Sequence, residues 1–181
     1  MPRIPYMSDA KAGPADLVAA IRARRGGDLL NLDRMLLNSP ALARGWNAHL
    51  GAVRTGLGLP AKLRELAVCG VAVLNGADYE FEQHLPLFLK AGGSEAAVQA
   101  LRLFEAACED RALLSETECA VLRLTHEMTR AVRVNDATFE RVRSELRDDR
   151  HIVELVAVIA TYNMVSRFLV ALGIESDVRV S

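Results

Sequence analysis

The chain has 181 residues, 51% of them apolar, with 22 basic against 23 acidic side chains and a net charge of −1. That is enough for one domain with a real core, and the charge balance gives no general reason to bind nucleic acid or an anionic membrane. Aromatics are only 5% of the chain, while the strong helix formers Ala, Leu, Arg and Glu dominate, so the expected fold class is all-α. Residues 1–13 form a proline-containing extended arm, and residues 14–181 one all-helical domain with its core over about 46–130. Pro14 opens a first helix with Leu17, Ala20 and Ile21 on one stripe, and Gly26-Gly27 stops it. Asp28 is placed to cap a second helix carrying Leu29, Leu32 and Leu36. Ser39-Pro40 starts a third, which runs through Leu42, Trp46, Leu50 and Val53 to Gly56.

Leu59-Pro60 opens a fourth helix and Asn75-Gly76 closes it. Asp78 can cap a fifth, which contains Pro86 and ends at Ala91-Gly92-Gly93. Ser94 caps a short helix reaching about Phe104. Ser115 to Glu118 fits a capping box ahead of a stripe of Val121, Leu122, Thr125, Met128 and Thr129. A charged amphipathic helix starts at Asn135 or Asp136 and turns Phe139, Val142 and Leu146 inward. The last helix, about Asp149 to Leu172, is apolar almost all round and therefore belongs in a core or at a subunit interface. Polar residues break its apolar run, so no membrane span is expected.

The fourth and fifth helices hold the chemistry. Folding back at Asn75-Gly76 puts Glu65 roughly 15 Å and His84 roughly 13 Å from the turn, at similar heights on antiparallel rods. A carboxylate beside an imidazole can relay a proton, or can simply satisfy two buried groups. Cys69 and Ala72 share the Glu65 face, and Ala77 and Glu80 share the His84 face. Tyr162 and Asn163 interrupt the apolar run of the last helix; with Arg64, Tyr79 and Arg167 they are candidates to stabilise an oxyanion. His49, His84, His126 and His151 are scattered, so no metal site and no cofactor are expected. Three cysteines, Cys69, Cys108 and Cys119, without a CxxC give no disulfide framework, and no secretory leader is evident, which points to the cytoplasm.

Pro60, Arg64-Glu65-Leu66, the run from Ala77 to Phe81, and His84 resemble the carboxymuconolactone decarboxylase family, which includes the alkylhydroperoxidase D-like (AhpD-like) proteins. The likeness is strongest from about Trp46 to Leu103, and TYNMVSRFLVALGIE resembles members with an extra long helix. The resemblance implies a homo-oligomer, a dimer, trimer or hexamer, acting on a small-molecule substrate. In the peroxidase branch a Glu, a CxxC and a His form the relay; Glu65 and His84 match its ends, but Ala77 and Glu80 stand where the cysteines would be. Thiol peroxidase chemistry needs a thiolate and a resolving thiol. The expected function is therefore a cysteine-independent, lactone-decarboxylase-like proton transfer by Glu65 and His84. The alternatives are an AhpD-like peroxidase, with Cys69 as a lone thiol, and a non-catalytic helical assembly.

Overall fold

The computed structural model describes residues 1–101 and 112–177. The described residues hold nine α-helices and no strand: α1 Ala15–Arg25, α2 Asn31–Leu36, α3 Pro40–Thr55, α4 Ala61–Asn75, α5 Asp78–Lys90, α6 Glu95–Leu101, α7 Glu116–Arg130, α8 Asp136–Leu146 and α9 Asp149–Leu172. The all-α expectation holds. Cys108 and the expected end of the short helix at Phe104 lie outside the described residues.

The chain forms two compact units. One comprises residues 1–57 with those from 169 onward, the other residues 58–168. In the first unit, Leu17 and Ile21 of α1, Leu32, Met35 and Leu36 of α2, and Trp46, Leu50 and Val53 of α3 are buried. The arm lies on this same unit: the Arg3 amide donates to the Leu172 carbonyl and the Met7 amide to that of Arg34. One 3-10 turn, Asp9–Lys11, interrupts it.

Three local expectations are corrected here and in the second unit. Asp28 does not cap α2, which begins three residues later, at Asn31. Asp33 instead accepts from the Leu30 amide at 3.1 Å while its buried carboxylate is held by Arg24 and Arg25, a stronger set of partners than a lone cap offers Asp28. Asp78 does not cap α5 either: it is the first helical residue, and the capping position is held by Ala77, which offers no side-chain acceptor. Phe139 of α8 is 39% exposed; the neighbouring Thr138 turns inward, where its hydroxyl donates to Glu127 at 2.7 Å.

The second unit is built on α4, an almost fully buried helix on which every residue from Glu65 to Ala72 is buried. It packs against α5 on one side and α7 on another. Gly76, at φ 62°, closes α4 in the left-handed conformation, and the Ala77 amide returns to the Ala72 carbonyl. α5 then runs back and continues through Pro86 to Lys90. The Ser115–Glu118 capping box of α7 is present, with Glu118 Oε2 accepting from the Ser115 amide at 2.8 Å. Ser94 likewise accepts from the Ala97 amide at 3.1 Å at the start of α6. By length and composition α9 could cross a membrane. Yet Leu155, Val158, Ile159, Tyr162 and Val165 are buried in the chain's own fold, while Val153 and Met164 are exposed at 67% and 42%.

Candidate active site

The α4–α5 hairpin brings Glu65 and His84 into direct contact. His84 Nδ1 donates to Glu65 Oε2 across 2.6 Å, with both residues buried. Glu65 Oε1 accepts from Arg64 Nε at 3.1 Å, one residue earlier on the same helix. Burial pushes the Glu65 carboxyl up, but the hydrogen bonds and charges of His84 and Arg64 outweigh it and hold the group below its ordinary value. Glu65 is thus ionised at neutral pH and fixes the imidazole with its proton on Nδ1. The edge of the Tyr162 ring meets the His84 ring at 4.9 Å between centroids and 84° between planes, so α9 supports the imidazole from a third side.

Glu80 is 2% exposed and lies one helical turn before His84. Cys69 lies one turn after Glu65 and is fully buried. Burial, and then the carboxylates of Glu65 and Glu80, push the Cys69 thiol up to about 12. The thiol therefore faces two acidic groups in a dry setting and stays protonated. Cys119 is also fully buried. Tyr79 is buried on α5.

Asn163 and Arg167 sit elsewhere. Asn163 donates to Thr129 Oγ1 at 2.9 Å and accepts from Asn75 Nδ2 at 3.0 Å, while Asn75 also donates to Ser166 at 2.7 Å. Arg167 donates to the Asn163 carbonyl at 3.0 Å and to its side chain. This network ties α9 to the closing end of α4, about 15 Å along that helix from Glu65. His49 is exposed on α3. No group of three His, Cys, Asp or Glu side chains suited to a metal occurs among the described residues.

Other buried acids have purely local duties. Glu118 is paired with Lys62 at 2.7 Å and caps α7. Glu127 accepts from the Asn135 amide at 2.8 Å and from Arg123 at 3.1 Å. Glu65 differs from both because it borders open space. A cavity of ≈ 300 Å³ is lined by Ala61, Arg64 and Glu65 of α4 and by Leu87, Lys90 and Ala91 at the end of α5. A second, of ≈ 290 Å³, lies at the other end of the hairpin, lined by Ala72, Val73, Gly76, Asp78 and Phe81. The sequence reading missed Ala61, Leu87, Lys90 and Ala91. The signal that finds them is the same hairpin arithmetic that pairs Glu65 with His84: Ala61 and Ala91 are equally far from Gly76.

Residues 40–118 match the sequence model of the Carboxymuconolactone decarboxylase family, so the family resemblance is borne out. Among solved structures, the fold is similar to an uncharacterised peroxidase-related protein with an alkylhydroperoxidase AhpD core from Ralstonia eutropha JMP134. The two share 20% identity over 97% of this chain and 92% of that one, with a TM-score of 0.81. A peroxidase-related protein from Silicibacter sp. TM1040 is 20% identical over 96% and 93% of the two chains, with a TM-score of 0.76. The debrominase Bmp8, seen in complex with 2,3,4-tribromopyrrole, is 16% identical over 95% and 90%, with a TM-score of 0.75. These likenesses establish an AhpD-like fold. Comparison with curated protein sequences gave no match.

Proposed function

We propose that this protein is a small-molecule enzyme whose Glu65–His84 pair moves a proton without help from a thiol, in a lactone decarboxylation or a related proton transfer. The observation that carries the reading is the buried 2.6 Å Nδ1–Oε2 contact directly beside the ≈ 300 Å³ cavity that Glu65 lines. The family match over residues 40–118 supports it. Loss of CO2 from a lactone acid breaks the C–C bond and leaves its electron pair on carbon as a carbanion or dienolate. That carbon must then take up a proton. Glu65, the member of the pair that faces the cavity, hands the carbon a proton that it takes from an imidazolium His84 through Nδ1; His84 ends neutral and is reprotonated from water before the next turnover, and Arg64 keeps the carboxyl oriented. The low-exposure setting strengthens each of these hydrogen bonds.

A thiol peroxidase has no support in this site. Ala77 and Glu80 stand where the resemblance places the cysteines, and the Cys69 thiol, at about 12, supplies almost no thiolate at neutral pH. The debrominase relative supports the coarser point that this fold can hold a small flat ring. The working enzyme is a homo-oligomer, built through the exposed apolar side of α9.

The test is CO2 release from a panel of lactone acids, followed with a coupled bicarbonate assay. Turnover is expected in the wild type and in Cys69→Ala, and is lost in His84→Ala and Glu65→Gln. Full turnover in either of the last two would overturn the reading.

A further inference from the structure

The cavity beside Glu65 is more positive than its one carboxylate suggests. Arg64 lines the cavity and spends Nε on Glu65, so the terminal nitrogens of its guanidinium remain as donors for another acceptor. Lys90, the last residue of α5, also lines the cavity and makes no ion pair among the described residues. The third positive element is the N-terminus of α4. Its first-turn amides have no intrahelical acceptor, Pro60 gives no side-chain cap, and the first turn holds no acidic residue. Ala61, the first residue of that helix, is part of the cavity wall. The rest of the lining, Ala61, Leu87 and Ala91, is apolar.

The charges sum simply. Arg64 and Lys90 contribute two positive charges and Glu65 one negative, so the cavity is one positive charge in excess. A volume of ≈ 300 Å³ suits a small ligand. We propose that Arg64, Lys90 and the start of α4 form an anion grip that selects a small, mostly apolar molecule bearing a single carboxylate. The grip rests on the reading of this cavity as the reaction site, and it assigns Arg64 and Lys90 as specificity-determining residues. Lys62, the other cation of the first turn, is committed to Glu118 at 2.7 Å and takes no part.

The test uses benzoate, benzamide and phthalate as probes, with binding to the full chain followed by calorimetry. Benzoate binds, benzamide does not, and phthalate binds no more tightly than benzoate. Lys90→Met weakens benzoate about threefold, as expected for a solvent-screened pair. Arg64→Met weakens it about tenfold or more, since a charge-assisted paired contact is lost. Ala61→Phe fills the cavity and removes binding while circular dichroism shows an intact fold. Equal affinity for benzamide, tighter binding of phthalate, no binding of benzoate by folded wild type, or unchanged affinity in both cation variants would each overturn the grip. Its failure is separable from that of the proton-transfer reading. Benzoate binding without any lactone turnover removes that reading and leaves the grip. Turnover with an unchanged KM in Lys90→Met and Arg64→Met removes the grip and leaves the reading.

Discussion

Glu65 is the residue on which stability and chemistry meet. Its carboxylate is buried, so removing it leaves His84 and Arg64 facing an uncompensated gap. Glu65→Ala should cost about 3 kcal/mol, the scale for breaking a buried pair, measured by urea denaturation. The pH dependence has a definite sign. The folded carboxyl lies below its ordinary value of 4.5, so its stabilising contribution is complete above that pH and fades as pH falls through the folded value. The stability gap between wild type and Glu65→Gln should therefore narrow in acid below pH 4.5; a gap that widens there would contradict the pairing. Cys69 gives an independent check. With its thiol at about 12 and no exposure, it should resist iodoacetamide at pH 8 in the native protein and react only on unfolding, as followed by mass spectrometry. The contact between Glu65 and His84 was legible because each stands about ten residues from one turn. Lys90 was not, since it carries no pattern of its own until α5 is laid against α4.

At the scale of the element, the hairpin depends on two glycines for different reasons. Gly76 sits at φ 62°, where an L side chain is strained even though open space surrounds it, so Gly76→Ala should cost about 1 kcal/mol. Gly93 is limited by space: an added Cβ would lie 2.4 Å from the ring of Phe88, which is fully buried and packed at the end of α5. Gly93→Ala should destabilise by about 1–3 kcal/mol, the range for overpacking, and a thermal melt with no change would show that the ring can yield. Helix beginnings and ends at Pro60, Gly76 and Ser115 could be read from the sequence because proline, glycine and capping residues act locally. Asp28, Asp78 and Phe139 could not be placed correctly. For Asp28 and Phe139 the outcome depended on which of two residues found the better partner in space: Asp33 with two arginines, Thr138 with Glu127.

At the scale of the molecule, the apolar character of α9 exceeds what one chain uses. Val153, Ala160 and Met164 are exposed and recur at spacings of seven and four, so they fall along one side of the helix. The opposite side, from Leu155 through Tyr162 to Val165, is already committed to the core. A stripe of this kind in water favours association, and a second copy of the chain presents the same stripe for a self-complementary contact. Light scattering at micromolar concentration should give a mass that is a multiple of one chain. Met164→Glu places a charge in the middle of the stripe and should reduce that mass to the monomer's. Because Tyr162 on the same helix touches the ring of His84, a monomeric variant should also lose turnover beyond what its melting temperature explains. A wild type already monomeric at that concentration would remove self-association as the reason for the stripe and leave Glu65 and His84 to be tested within a single chain.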